Sequence, residues 1–175
     1  AGIFAQDEFK LRRNLSLSYG LRWDWQNYLS DHNNFAPRMA LAWSPDRNRK
    51  TVLRAGAGIF YDRTGESAIG DTLRFDGMHL SRIVISNPSY PDPGQASDSQ
   101  PANIVRFAQD LRSAYLAQYS VTAERQIQKS LTLTAGYTAL RGIKAFRSLD
   151  VNSPEPPLFD ARPDPAIGVL RQIQS

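Results

Sequence analysis

Residues 15–25 alternate between apolar and polar side chains without exception. The odd positions from Leu15 to Trp25 are apolar or aromatic, and the even positions from Ser16 to Asp24 are Ser, Gly, Arg or Asp. Strand side chains point to opposite faces at every second residue, so this pattern predicts a strand with one apolar and one polar face. Two tryptophans end the segment, and Tyr28 follows. The pattern is typical of a strand between lipid and a wet lumen, with one end in the headgroup layer.

The overall composition allows membrane strands but no membrane helix. Hydrophobic residues make up 41% of the 175 residues, and the longest uncharged apolar stretch lies around 55–61. A spanning helix needs about 20 apolar residues, whereas a barrel strand needs about 9–11 with only half of them apolar. The net charge of +4 is scattered, there is no cysteine, and the two histidines lack a zinc-binding spacing. We therefore expect no nucleic-acid partner, no disulfide and no cofactor.

In six segments of the chain, apolar and polar residues alternate well enough to predict long strands. The connections between successive strands are alternately short polar turns and long polar loops. This layout predicts an all-β, antiparallel meander that forms part of a transmembrane β-barrel with long outer loops. We expect residues 63–115 to form an outer loop with a hairpin near 73–86. Because residues 63–115 must begin and end on the same side of the membrane, this segment could contain either no further membrane strand or two. Residues 103–116 could alternatively begin with a short amphipathic helix. The predicted strands are 2–11, 15–28, 36–44, 51–62, 116–128 and 131–142, and the second long outer loop is 143–175, with an extended proline-rich part over 153–165.

Parity along these strands assigns candidate residues to each face. Charges at even positions would face the lumen, either along a transport path or as ordinary ion pairs across strands. Apolar and aromatic residues at odd positions would face lipid or form an aromatic girdle at its rim. The lumen-facing candidates are Arg22, Asp24, Arg38, Arg54 and Glu124. The lipid-facing or girdle candidates are Leu17, Leu21, Trp23, Trp25, Trp43, Tyr61 and Tyr137.

Several runs of residues resemble one protein family in order along the chain. Residues 4–9 read FAQDEF, residues 15–24 read LSLSYGLRWD, residues 33–43 read NNFAPRMALAW and residues 52–62 read VLRAGAGIFYD. These runs resemble the barrel strands of TonB-dependent outer-membrane receptors. Residues 133–142 and 162–173 are similar to the Oar-like branch of that family.

The resemblance implies a wall segment of a large barrel in the bacterial outer membrane. Its partners would be the lipid bilayer, a plug domain, the remaining barrel strands and the TonB complex. The implied function is energised uptake of a scarce nutrient, without catalysis. We expect the chain to be a fragment of a longer protein.

Two other functions remain open at this point. The first is a passive or adhesive outer-membrane barrel without TonB coupling, which would keep the same strands. The second is a soluble β-sandwich binding module, in which the odd-position apolar residues would lie buried in one core.

Overall fold

The structure is a computed structural model that describes residues 1–80, 82, 85, 90–92, 101–157 and 159–175. The hairpin predicted near 73–86 lies partly outside these residues. Within them the chain divides into two compact units, 1–63 with 113–145 and 64–112 with 146–175. The described elements are β1 (Gly2–Arg12), β2 (Leu15–Asp24), β3 (Asn34–Trp43), β4 (Thr51–Tyr61), α1 (Glu66–Arg74), β5 (Ile104–Phe107), β6 (Tyr115–Gln128), β7 (Leu131–Ile143), β8 (Arg147–Asp150) and β9 (Leu170–Gln174).

The first unit is a single six-stranded antiparallel sheet in the order β1-β2-β3-β4-β6-β7. Short turns join β1 to β2, β3 to β4, and β6 to β7, so these three turns lie at one end of the sheet, here called the short-turn end. The opposite end is called the long-loop end. Strands β1 and β7 are the edges and do not pair with each other. The predicted all-β meander, an unclosed part of a barrel wall, is confirmed.

The second strand is shorter than its alternation predicts. It ends at Asp24, whereas the sequence pattern extends to Tyr28. Asp24 is opposite Gly2 of β1 and Asn34 of β3, and both neighbouring strands have their outermost pairs there. Beyond Asp24, Trp25 still exchanges backbone hydrogen bonds with Ala1 at 2.8 and 2.9 Å, but the pairing with β3 has ended. The alternation itself fails soon after, because Asn27 is polar at an odd position and Tyr28 is aromatic at an even one.

Strand β4 pairs directly with β6, from Thr51 opposite Arg125 to Tyr61 opposite Tyr115. The intervening residues therefore contribute no strand to the sheet between β4 and β6.

The second unit contains a three-stranded sheet in the order β5-β9-β8. Strand β5 runs parallel to β9, with Ile104 opposite Leu170, and β8 runs antiparallel to β9. The helix considered over 103–116 is wrong, because Ile104–Phe107 is a strand. The helix of this unit is α1, in a segment predicted as loop, and no helix among the described residues is long and apolar enough to cross a membrane. Val105, Ala108, Leu111 and Ile173 are the buried apolar residues of this unit.

The buried Asn152 organises the proline-rich tail. Its amide nitrogen donates to the carbonyl oxygens of Asp164, Ile167 and Gly168 at 2.8–3.0 Å, and its Oδ1 accepts from the Asp164 N–H at 2.8 Å. Arg162, in the same part of the tail, donates a hydrogen bond to the Asp150 carboxylate of β8 at 2.8 Å. Residues 153–165 have neither helix nor strand among the described positions, and the Asn152 side chain satisfies both the N–H and the carbonyl of Asp164 at their end.

Candidate functional site

The register of the six-stranded sheet gathers the apolar residues onto one face. Leu17 is opposite Phe9 and Leu41, and Val121 is opposite Ala55 and Tyr137. Large side chains of this apolar face remain exposed: Leu21 by 49%, Met39 by 59% and Tyr137 by 71%. An apolar patch that spans several strands is larger than soluble monomers ordinarily leave in water. This face therefore requires an apolar environment from outside the described chain.

Ion pairs lie on the opposite face, here called the polar face. Arg22 donates from Nε and Nη2 to the two carboxylate oxygens of Asp24, at 2.6 and 2.8 Å. Arg54 of β4 pairs with Glu124 of the neighbouring β6 at 2.6 Å. Four of the five charged residues that parity assigned to this face therefore occur as two pairs. Both pairs are partly exposed, so they neutralise charge along the wall without forming a dry core.

Arg38, the fifth of these residues, stacks on an aromatic ring instead. Its guanidinium carbon lies 4.4 Å from the centre of the Phe60 ring. A Cβ atom at the neighbouring Gly58 would lie 3.0 Å from that ring and 3.2 Å from Arg38 Cγ, so glycine provides the space for the stack. Arg38 also lines a hollow of about 230 Å³ whose floor contains Gly56 and Gly58. Parity placed Phe60 on this face, but its contact with Arg38 could not be read from the alternation, because the two residues lie on different strands.

The aromatic residues predicted as a girdle meet at the long-loop end. The rings of Trp23 and Trp25 are 4.8 Å apart, and Trp23 is 6.2 Å from Phe35. The indole N–H of Trp23 donates to the His32 carbonyl at 2.7 Å. Tyr61 contacts Tyr115 of β6, with ring centres 5.3 Å apart. Trp25 joins the cluster although it lies beyond the end of β2. Trp43, in contrast, lies at the short-turn end.

Charged residues interrupt the apolar face within β1 and near the ends of β6 and β7. Asp7 lies opposite Tyr19 near the middle of β1, which is where the alternation of that strand fails. Arg125 lies at the short-turn end of β6, opposite Thr51 and Leu133. Arg141 lies near the other end of β7, opposite Ala117. The two arginines are close enough to strand ends for their long side chains to reach polar surroundings.

The second unit carries an exposed turn around Asp76. Its carboxylate accepts hydrogen bonds from the backbone N–H groups of His79 and Met78 at 2.9 and 2.8 Å and contacts His79 Nδ1 at 2.7 Å. These bonds lower the pKa of Asp76 to about 2. Within the described ranges, no three or more His, Cys, Asp or Glu side chains group in a way that could hold a metal ion.

Comparison with known families shows to which class of protein this sheet belongs. The model of the family described as outer membrane beta barrel domain matches residues 26–174. This chain belongs to the outer membrane β-barrel family. Its place in the bacterial outer membrane, predicted from the sequence, is thereby confirmed.

Individual relatives extend this result to the fold of the barrel. An Escherichia coli (strain K12) protein, the uncharacterized protein YddB, is 27% identical over 125 residues, covering 71% of this chain and 13% of its own length. The structure of a mutant of the ferric enterobactin receptor PfeA from Pseudomonas aeruginosa matches 99% of this chain with a TM-score of 0.63 and 17% identity. The siderophore receptor PirA from the same organism matches 99% with a TM-score of 0.58 and 10% identity.

This outer membrane β-barrel chain spans only part of these relatives. It covers 22% of the PfeA chain and 28% of the PirA chain. The expectation of a barrel fragment that resembles the receptor family is confirmed at the level of family and fold. The family description, an outer membrane β-barrel domain, agrees with the expectation that the chain is not an enzyme.

Proposed function

We propose that this chain is a wall segment of a TonB-dependent outer-membrane receptor that takes up a scarce nutrient. The observation that carries the proposal is the match of almost the entire chain to two solved receptors whose names give siderophores as ligands. Those names make an iron–siderophore complex the first substrate to test. The runs of residues similar to the Oar-like branch favour that branch within the family.

In this proposal the two faces of the sheet have different surroundings. The polar face, with Arg22, Asp24, Arg38, Arg54 and Glu124, lines the lumen and faces a plug domain supplied by the rest of the protein. The apolar face contacts lipid, and the aromatic cluster lies in the outer headgroup layer. The lipid and girdle set is Leu17, Leu21, Trp23, Trp25, Trp43, Tyr61 and Tyr137, of which Trp43 belongs to the inner rim.

Cysteine labelling tests this orientation, because residues 1–175 contain no cysteine and any cysteine elsewhere in the full-length protein can be replaced beforehand. Ser18→Cys and Tyr19→Cys are adjacent in β2, on the polar and the apolar face respectively. In membranes that contain the full-length protein, a water-soluble maleimide should label position 18 and leave position 19 unlabelled. Labelling of position 19 alone would overturn the assignment of faces.

The same chemistry tests which end lies outside the cell. Residues 63–115 and 143–175 are proposed to be outer loops, and Met78 is 89% exposed. In intact cells Met78→Cys should react with an impermeant maleimide, whereas Lys129→Cys in the turn between β6 and β7 should react only after the outer membrane is opened. The reverse result would invert the proposed topology.

Uptake itself requires the full-length protein. Cells that depend on it should accumulate radiolabelled ferric siderophore under iron limitation, and a protonophore or loss of TonB should abolish accumulation. Uptake that survives both treatments would replace this proposal with a passive barrel. No uptake of any ferric siderophore would remove the substrate class suggested by the relatives.

A further inference from the structure

Positive charge concentrates at the short-turn end of the six-stranded sheet. The three turns are neighbours there, because they connect strands that are adjacent in the sheet. The turns supply six exposed cations but a single carboxylate, that of the half-buried Asp46. The cations, here called the basic rim, are Arg12, Arg13, Arg47, Arg49, Lys50 and Lys129.

Hydrogen bonds hold two of these turns together. The Asn14 side chain donates to the Ser44 carbonyl at 2.8 Å, and the Ser44 N–H donates to the Asn14 carbonyl at 2.8 Å. Arg49 donates to the Arg13 carbonyl at 3.5 Å. The cations of these two neighbouring turns are therefore kept side by side. Arg12, Arg13 and Arg49 also line a hollow of about 540 Å³ that includes polar-face residues such as Glu8 and Ser16, so part of the rim's charge faces that side.

The carboxylate of the rim is already used in shaping its own turn. Asp46 accepts hydrogen bonds from the backbone N–H groups of Thr51 at 3.0 Å and Lys50 at 2.9 Å. These bonds hold the pKa of Asp46 below its usual value. Its charge is directed to the backbone, so the rim presents an excess of positive charge outward.

The apolar face continues up to this rim. Trp43 and Leu133 are 41% and 64% exposed on that face, and Arg125 lies beside Leu133 in the register. Arg125 Nη1 is 3.4 Å from Oγ1 of Thr51, the first residue of β4, so this cation of the apolar face lies at the level of the turns. A band of apolar side chains that ends in cations matches the two parts of an anionic phospholipid, its acyl chains and its phosphate.

We propose that the basic rim binds the headgroups of anionic phospholipids in the leaflet next to the short turns. The inference rests on the proposed function, since it needs the apolar face to contact lipid. Each cation near an anionic surface contributes about 1 kcal/mol, which corresponds to about fivefold in association. The rim would anchor this edge of the barrel and fix its depth in the bilayer.

Trp43 provides a local reporter for the test. The full-length protein is reconstituted in phosphatidylcholine vesicles that contain brominated phosphatidylglycerol or brominated phosphatidylcholine, and the Trp43 signal is obtained by subtracting the Trp43→Phe variant. Brominated phosphatidylglycerol should quench Trp43 more strongly at the same mole fraction. The preference should fall by up to roughly twentyfold when Arg47→Gln and Lys50→Gln are combined, and it should weaken in high salt.

The outcomes separate this inference from the proposed function. The matched control combines Arg63→Gln and Lys144→Gln at the long-loop end, and it should leave the preference at Trp43 unchanged. Equal quenching by the two lipids, or an equal effect of the control pair, would overturn binding at the rim while leaving the barrel orientation intact. Absence of quenching by either lipid would overturn the orientation itself.

Discussion

Arginine at position 21 should strongly destabilise the barrel, and arginine at position 18 should not. Leu21 is 49% exposed on the apolar face, opposite Ala5 and Pro37. It lies six residues beyond Leu15, which is about 20 Å along the strand and roughly 16 Å in depth for a tilt of about 40°. The apolar band of an outer-membrane barrel is about 25 Å tall, so Leu21 lies close to its middle.

A cation at that depth costs about 2–4 kcal/mol, because it must leave water for hydrocarbon or drag water with it. Ser18 lies on the polar face, opposite Glu8 and Ala40. An arginine at position 18 would remain in the lumen and face a carboxylate across the strand pair. We expect its effect to stay below about 1 kcal/mol.

The measurement is urea unfolding of the full-length protein from phospholipid vesicles, followed by tryptophan fluorescence. Leu21→Ala serves as the matched control, because it removes apolar contact without adding charge and should cost about 1 kcal/mol. Equal losses for Leu21→Arg and Ser18→Arg would refute the assignment of faces. A loss at position 21 no larger than that of Leu21→Ala would refute contact with lipid.

Three further predictions concern individual polar groups. In a double-mutant cycle with alanine at Arg54 and Glu124, the coupling energy should be below about 1 kcal/mol, since both side chains are partly exposed; a coupling above about 3 kcal/mol would contradict a wet lumen. The carboxyl carbon of Asp76 should titrate by NMR with a pKa of about 2. Its stabilising contribution is therefore complete above the unfolded value near ~3.9 and is lost as the pH falls toward about 2; a midpoint near ~3.9 would show that its turn is not formed. Asn152→Ala should destabilise the tail locally by about 1–3 kcal/mol, because it removes the donor to the carbonyls of Asp164, Ile167 and the buried Gly168. Protease cleavage within 153–169 should accelerate in that variant but not in Asn27→Ala, and equal cleavage would contradict the role of Asn152.

The sequence predicted the six-stranded sheet because its information is local. In each strand the alternation of apolar and polar residues indicates the two faces. The short polar turns after β1, β3 and β6 then predict that the next strand runs antiparallel. The departures in this unit lie at a strand end and at a sheet edge. Strand β2 ends at Asp24, where its pairing with β3 ends, and not at Tyr28 as predicted. Asp7 lies on the apolar face of the edge strand β1.

The second unit could not be predicted in the same way, because its contacts join distant parts of the chain. Strand β5 is four residues long and pairs in parallel with β9, so Ile104 contacts a partner 66 positions away at Leu170. Four residues are too few to show a period, and apolar residues at 104, 107 and 111 fit a helix equally well. The role of Asn152 likewise depends on carbonyl groups that only the folded tail brings together.

The exposure of the apolar face bears directly on the β-sandwich alternative. A sandwich buries one face of each sheet, and a buried leucine contributes about 1.5–3 kcal/mol. The buried apolar residues of the first unit are Leu29, Ala36 and Ala117, and the large side chains of the apolar face are not among them. Within the described residues this sheet therefore has no packed core on its apolar side. The free energy that a soluble domain obtains from such a core must come from surroundings outside the chain, and for a member of the outer membrane β-barrel family those surroundings are lipid.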